Sequence, residues 1–382
     1  MKLSVLQENL AKGLAIVGRA VSARSVLPVL QNVLLATEQG QLKLSATDLS
    51  TSITCWIGAK IEEEGSATVP ARLLGEFVNS LPPEQIDMEM VARTQTLHLA
   101  CGRTEANIKS IDAQEFPIIP TADDAERLSI DAATLRQMIA QVTFAAATDE
   151  SRPILTGALA DFQDDKLTMA AADGFRLSVR SALLDEAVPA GVGIIIPARA
   201  LQELGRVAAG LEEGVEVILP PKGNQILFRL ESPDLGGAIE LVSQLIEGNF
   251  PDYNQIIPTG HSSRTVVATP EFLQAARIAL LFARDAANIV RVKITPSSDG
   301  PGNLVVAATA AEVGDDVSQV DATVEGDEIE IAFNGRYLID VLGAVETPQV
   351  ALETSSPSSP GVFRPVGDED FIHVIMPMHI SQ

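Results

Sequence analysis

The chain has 382 residues, too many for one compact core and enough for two or three domains. Hydrophobic residues make up 46% and charged residues 20%, which excludes a disordered chain, and no apolar run approaches the roughly 20 residues that a membrane-spanning helix needs. A formal net charge of −24 excludes wrapping nucleic acid with the whole surface, but leaves room for a locally basic face. Glu8 falls where a secretory signal has its apolar segment, so a cytoplasmic location is expected, nucleoid-associated if the chain serves replication. Cys55 and Cys101, the only cysteines, each sit in a strand-like apolar run and read as small core residues rather than a disulfide.

In chain order, Lys2 to Gln7 alternates like a strand, and Glu8 to Val21 reads as a helix with Leu10, Leu14, Val17 and Val21 on one face. Strands are expected at Asn32–Leu35, Gln41–Ala46, Thr51–Ile57 and Ala67–Pro70. A helix follows over Ala71–Asn79, stopped by Pro82 and Pro83, then strands at Ile86–Val91, Thr96–Ala100 and Ala106–Ile111. The order is strand, helix, three strands, written twice, and Phe116–Pro120 reads as a linker. A second unit opens on a helix over Ala132–Phe144, with Asp131 as its N-cap. Strands bracket Asp173-Gly174; Ile194–Pro197, a helix through Arg206, and strands at Val215–Leu219 and Ile226–Leu230 follow. Phe250–Pro258 echoes the first linker. The third unit starts its helix at Thr269-Pro270, where proline's missing N–H costs nothing. Its second half has a strand into Asn334, a helix to Val345, a flexible loop over Thr354–Pro360, and a last strand at Phe371–Ile375.

One motif organises the rest. Strand-like Lys166–Ala170 and Arg176–Arg180 flank a turn at Asp173-Gly174, a hairpin signal because glycine takes positive φ at no steric cost. Leu42–Leu49 reads the same way, its Asp48 lying 125 residues before Asp173, and Leu304–Ala310 is a third copy with its turn lost. Val69-Pro70-Ala71-Arg72 recurs as Ile196-Pro197-Ala198-Arg199. Three copies imply one domain used three times, at 1–124, 125–260 and 261–382, an α+β architecture.

Enzyme signatures are missing. No phosphate-cradling Gly-x-x-x-x-Gly-Lys-Ser/Thr loop occurs, and His98, His261, His373 and His379 lack zinc-site spacing, so no catalytic residue, metal or cofactor is assigned. Isolated residues that converge only in space leave no such signature. Basic residues seven apart do recur: Lys12 and Arg19, Arg199 and Arg206, Arg277 and Arg284. Seven residues are nearly two helical turns, so each pair projects from one side and could hold phosphates without reading bases; a solvated helix face explains any one pair equally well. Leu155, Leu177, Ile256 and the terminal Val374-Ile375-Met376-Pro377-Met378 are apolar near turns or the chain end, and methionine suits a groove that accepts varied partners.

Arg24-Ser25-Val26-Leu27-Pro28-Val29-Leu30, Thr47-Asp48-Leu49, Val69-Pro70-Ala71-Arg72, Ala172-Asp173-Gly174-Phe175-Arg176-Leu177, Phe250-Pro251-Asp252-Tyr253 and Val374-Ile375-Met376-Pro377-Met378 occur in that order. Together they resemble the bacterial DNA polymerase III beta subunits, the beta sliding clamps, from Met1 to Ile380. The resemblance implies a clamp fold of three similar domains per chain and a homodimer closed head to tail, with helices lining the hole around double-stranded DNA and sheets outside. It implies a peptide groove at Leu155, Ala172, Gly174, Phe175, Arg176, Leu177, Pro251, Gln255, Ile256, Pro360, Val374, Ile375, Met376, Pro377 and Met378. The replicative polymerase, the clamp loader and repair proteins insert short peptides there. Of these residues, Leu155, Leu177, Ile256, Val374 and Met376 are expected as the floor and Met378 as a movable wall. The chain departs from the family at Phe175, where histidine is frequent, at Gln255, where arginine is, and in ending His379-Ile380-Ser381-Gln382. The resemblance also implies DNA contact at Arg24, with Pro153 and Ile154 at positions where some members carry aromatic residues. It implies a subunit contact joining Arg103, Ala106 and Ile108 to Leu280, Leu281, Glu312, Asp315 and Asp316.

Beside a non-catalytic clamp stand a hydrolase on a repeated α+β scaffold, which turnover would reveal, and a peptide-binding module without DNA, which would lack a basic channel.

Overall fold

The computed structural model describes residues 1–22, 27–120, 126–188, 191–211, 213–219, 223–284, 287–298 and 300–379. Arg24, Ile380, Ser381 and Gln382 lie outside the described residues.

The first segment runs β1 (Lys2–Leu6), α1 (Gln7–Val17), β2 (Asn32–Glu38), β3 (Gln41–Thr47), β4 (Thr51–Glu63), β5 (Ser66–Pro70), α2 (Ala71–Asn79), β6 (Gln85–Val91), β7 (Thr96–Cys101) and β8 (Thr104–Lys109). The second runs β9 (Glu126–Ile130), α3 (Ala132–Val142), β10 (Gly157–Gln163), β11 (Lys166–Ala172), β12 (Arg176–Leu183), β13 (Val192–Pro197), α4 (Ala198–Val207), β14 (Val215–Leu219), β15 (Gln225–Ser232) and β16 (Gly237–Gln244). The third runs β17 (Ser263–Ala268), α5 (Thr269–Ala283), β18 (Ile289–Thr295), β19 (Gly302–Ala310), β20 (Gly314–Gly326), β21 (Ile329–Asn334), α6 (Gly335–Ala344), β22 (Gln349–Thr354), β23 (Gly361–Pro365) and β24 (Phe371–Ile375). Strand, helix, three strands is therefore written twice in every segment. The sequence reading had the first segment complete, lacked β9, β10 and β16 in the second, and lacked β17, β18, β20, β22 and β23 in the third.

Local chemistry sets the helix ends. The Asp131 carboxylate accepts the Thr134 N–H at 2.8 Å at the start of α3, and Asn334 accepts the Arg336 N–H at 3.0 Å at the start of α6. Helix α1 stops at Val17, four residues short of the expected Val21, and a 3-10 turn over Gly18–Ala20 follows. Leu10, Leu14 and Val17 still form its buried face. Gly13 lets that face approach the sheet, since a Cβ there would lie 2.6 Å from Leu44 Cδ1.

The hairpin motif takes one geometry twice. Asp173 Oδ1 accepts the N–H groups of Phe175 and Arg176 at 2.9 and 3.0 Å, and Gly174 sits at φ +92°. Asp48 Oδ1 accepts those of Ser50 and Thr51 at 3.0 and 2.8 Å, with Leu49 at φ +78°. The aspartate thus defines the turn, and the leucine bears the strain that glycine avoids, roughly 1–2 kcal/mol. The third copy keeps its hairpin after all: β19 and β20 pair as far as Ala310↔Gly314, with Gly314 at φ +115° in place of the Asp-held turn. The loop expected over Thr354–Pro360 is internally bonded, Ser359 N–H to the Ser356 carbonyl at 3.1 Å.

Contacts divide the chain into two compact units, residues 1–136 with 200–245, and residues 137–199 with 246–382. Each holds one 12-stranded antiparallel sheet. In the first, β16 joins β4, from Thr51↔Ser243 to Cys55↔Ile239. In the second, β24 joins β12, from Arg176↔Ile375 to Arg180↔Phe371. Both junctions close on the same backbone bond, Gln244 N–H to the Ser50 carbonyl and Met376 N–H to the Phe175 carbonyl, each 2.8 Å. The expected middle segment thus divides its strands between the sheets, β9 and β14–β16 in the first unit's and β10–β13 in the second's. The core of the second unit packs Phe272, Ala275, Ala276 and Ala279 of α5 and Leu338, Val341 and Leu342 of α6 onto Val290, Val306, Phe333, Phe363 and Phe371. Each such buried phenylalanine contributes up to about 3 kcal/mol.

Candidate functional site

The groove residues expected from sequence all lie in the second unit. Leu177 and Val374 face each other across the β12–β24 junction, each 1% exposed, and pack with Ala170, Ala172, Val179 and Val362. Phe250, Tyr253, Ile257 and Ile372 pack against this cluster. Above the floor, Phe175 is 59%, Ile256 41% and Met376 39% exposed, a concentration of apolar surface on a single hairpin and the segments that follow it in the unit. Gly174, Pro251 and Gln255 are exposed, and the Gln255 amide donates to Asp252 at 2.9 Å. Leu155, Pro360, Pro377 and Met378 are half-buried.

Three placements differ from the sequence expectation. Ile375 is fully buried on the opposite face, in the core with Phe363 and Phe371, because successive strand residues point to opposite sides. Ile256, 41% exposed, is not a buried floor residue, and Leu155 sits half-buried on a 3-10 turn, its carbonyl accepting from Ala147 N–H at 2.8 Å. Met378, expected as a movable wall, has its backbone N–H bonded to the Ala332 carbonyl at 2.8 Å, so only its side chain is free to swing.

Arg176 is a strut beneath the groove rather than a lining residue. Its side chain is 10% exposed, with Nε on Asp173 Oδ2 at 3.0 Å and Nη1 on Asp340 Oδ2 at 2.5 Å. The guanidinium lies 4.2 Å from the Tyr337 ring centroid and 5.5 Å from that of Phe144. Sequence reasoning missed Tyr337, Asp340 and Phe144, which lie far from the hairpin along the chain; Tyr253 stood inside a quoted motif and gave the only signal.

Behind the floor, His373 is wholly buried, its Nδ1 2.5 Å from Ser178 Oγ and its ring 5.3 Å from that of Phe144. Burial drives the imidazole well below its ordinary value, and the nearby Arg176 charge adds to this. The unfolded chain therefore takes up a proton near pH 6.5 that the folded chain refuses. The stability this group confers is complete above that pH and falls by about 1.4 kcal/mol per pH unit below it. Urea unfolding between about pH 5 and 6.5 checks this: His373→Gln flattens the slope. An unchanged slope in the variant sinks the assignment. The carboxyls of Asp87, Asp131 and Asp149, held low chiefly by hydrogen bonds, lose their contribution only in more acid solution.

The junction in the first unit is chemically different. Its cavity of 340 Å³ is lined by Glu38, Lys43, Trp56, Arg229, Glu240 and Ile119 among others. Lys43 pairs with Glu38 at 3.1 Å, Arg229 with Glu240 at 2.9 Å, and Trp56 Nε1 donates to Glu38 at 2.7 Å. Where the groove has Phe175, Leu177 and Met376, this junction has Ser50, Ser52 and Gln244. One junction exposes apolar anchors, and the other satisfies its own charges.

Lys12, Arg19, Arg199, Arg206, Arg277 and Arg284 are all exposed. The helical spacing holds in full only for Arg199 and Arg206 on α4, because Arg19 lies in the 3-10 turn after α1 and Arg284 caps the end of α5. Arg19 and Arg206 share Glu203, at 3.2 and 2.5 Å, which halves their pull on an anion.

Of the residues expected at a subunit contact, Arg103, Leu281, Glu312 and Asp315 are exposed, and Ala106, Leu280 and Asp316 are half-buried. Ile108 is buried in its own unit, and Leu280 packs on its own core. Val313 and Val317, not expected, are 53% and 60% exposed. Strand β8 pairs only with β7, and β20 meets β17 only from Ala322 to Gly326, so both present an open edge among the described residues. Also among the described residues, no His/Cys/Asp/Glu group could hold a metal ion, and no helix is long and apolar enough to cross a membrane. Both cysteines are free and buried, with burial pushing the Cys55 thiol up to about 12.

A strand–helix–three-strand motif written six times, with sheets that run from one segment into the next, defines the three-domain class of DNA sliding clamps. Sequence profiles of the DNA polymerase III beta subunit match in order: N-terminal domain over residues 1–120, central domain over 129–252 and C-terminal domain over 254–379. The chain is 33% identical over 383 residues to the beta sliding clamp of Synechococcus elongatus, covering 100% of both. It is 30% identical over 371 residues to that of Staphylococcus aureus, covering 94% of both. The DNA polymerase sliding clamp from Bacillus subtilis superposes with a TM-score of 0.92 at 27% identity, and the DNA polymerase III beta subunit of Pseudomonas aeruginosa with 0.89 at 28%, each over 100% of both chains. The chain belongs to the DNA polymerase III beta subunit family, the beta sliding clamps. Nothing in these relatives supports the hydrolase reading.

Proposed function

We propose that the chain is a non-catalytic processivity factor: two copies close head to tail into a ring around duplex DNA and tether other proteins through the groove. The carrying observation is topological. At two junctions, the fourth strand of a segment (β4, β12) receives the last strand of the next segment (β16, β24). The equivalent fourth strand of the third segment, β20, has an open edge from Gly314, and the equivalent last strand of the first segment, β8, is also an edge. Pairing β8 of one copy with β20 of another repeats the same junction a third time, and twofold symmetry closes the set. On this reading the three domains run 1–124, 125–260 and 261–382; three successive profile matches support their number, the third beginning at 254.

Lys12, Arg19, Arg199, Arg206, Arg277 and Arg284 then face phosphates, Arg19 and Arg206 partly neutralised by Glu203, and Arg24 is assigned to the duplex by resemblance to the family. So few cations give weak, salt-sensitive contact with duplex, and linkage rather than affinity retains the ring. The replicative polymerase, clamp loader and repair proteins dock peptides in the groove, supported by its exposed apolar anchors. The protein acts in the cytoplasm, on the nucleoid during replication, and a separate ATPase opens it. Loaded by a clamp loader onto nicked circular DNA, it should stay bound through a high-salt wash and leave when the circle is cut. Loss from intact circles, or retention on the cut ones, refutes encirclement and favours a peptide-binding module.

A further inference from the structure

We infer that Asp340 is a positioning residue for the groove, so that helix α6 and peptide occupancy are coupled through Arg176. The inference rests on the groove reading above. Asp173 uses one carboxylate oxygen to hold the turn, accepting from Phe175 and Arg176 N–H, and the other to accept from Arg176 Nε. Arg176 Nη1 reaches on to Asp340, and Tyr337, one turn earlier on α6, lies under the guanidinium. Carboxylate, guanidinium and carboxylate thus make a continuous strut from the groove hairpin to α6.

The duplicate junction shows what the strut adds. The Asp48 turn has the same carboxylate-to-N–H bonds with Thr51 at the position of Arg176. The turn therefore forms with no arginine at that position, and Arg176 fixes instead where the turn stands relative to α6. The opposite wall is tied to the same place: Met378 N–H bonds the Ala332 carbonyl on β21, two residues before the Asn334 cap of α6, and Met376 N–H bonds Phe175 itself. Both walls are therefore registered against the β21–α6 corner. With its side chain 10% exposed and two carboxylates in place, Arg176 has little left to offer a peptide directly. Coupling is reciprocal, so a peptide that stiffens the turn must also stiffen α6.

The test uses the full-length dimer and a fluorescent peptide with a glutamine and bulky apolar residues. Asp340→Asn should weaken the peptide about 10-fold at unchanged dimer mass, and Asp340→Glu should recover most of it. Hydrogen exchange of α6 amides should slow on peptide binding in the wild type and not in Asp340→Asn. Met376→Asp, on the exposed wall, is the control. If it leaves affinity intact, the groove reading falls and this inference with it. If Met376→Asp destroys binding while Asp340→Asn binds as the wild type does, the inference alone is overturned. Should Asp340→Asn fail to fold, the wild-type exchange decides: α6 amides indifferent to peptide overturn the coupling.

Discussion

Removing Met378–Gln382 lowers peptide affinity at least about 100-fold while the dimer persists. Two effects add. The cut removes the Met378 side chain, proposed as a wall of the groove, where one bulky apolar side chain gains roughly 1.5–3 kcal/mol. It also removes the Met378 N–H bond to Ala332, which leaves Pro377 as a terminus held only through the Met376 N–H bond to Phe175. Each 1.4 kcal/mol is about tenfold in affinity, so the two together exceed two decades. Removing only Ser381 and Gln382 changes nothing measurable, since both lie past the bonded tail. Fluorescence polarisation reads affinity and sedimentation reads the dimer. Full affinity in the five-residue deletion would falsify the groove assignment.

The second large effect belongs to the open edges. Leu281→Asp with Val317→Asp converts a species of twice the 40.4 kDa chain mass into one of 40.4 kDa at low concentration. Both side chains are more than half exposed in the single chain, and Val317 lies on the unpaired edge of β20, so each substitution spares the core. Burying a charge without a partner in an apolar contact costs several kcal/mol. Reversing Asp315 and Asp316 alone shifts the distribution less, because exposed ion pairs contribute about 1 kcal/mol or below. A mass unchanged by the double aspartate variant removes β20 from the interface.

Element order was legible because local periodicities carry it. Alternation marked the strands, the Asp131 cap and the Thr269-Pro270 start marked helices, and Asp48 and Asp173 marked turns made by their own carboxylates. What a single strand faces was less legible. Phe371–Ile375 is apolar at nearly every position, so its pattern does not separate the groove side of Val374 from the core side of Ile375. Seven-residue spacing predicted basic helix faces and ignored where helices end, which is why Arg19 and Arg284 fall outside theirs. Long-range pairs had no sequence signal at all. Arg176 finds Asp340 164 residues later, and Arg19 finds Glu203 184 residues later. These meet only because sheets join segments, and no local pattern encodes that joining.

The long stretch of chain between β12 and β24 bears on synthesis. Strand β24 pairs with β12, whose Ser178 meets His373 across 195 residues of sequence, and among the described residues no other strand covers that side of the hairpin. A ribosome adding about 5–20 residues each second therefore exposes Leu177 and Val179 for some ten seconds or more before their cover is made. Until the last strand emerges, the hairpin has neither a floor for peptides nor protection for its edge. A chain terminated before β24 thus offers an apolar strand edge of the kind chaperones and proteases recognise.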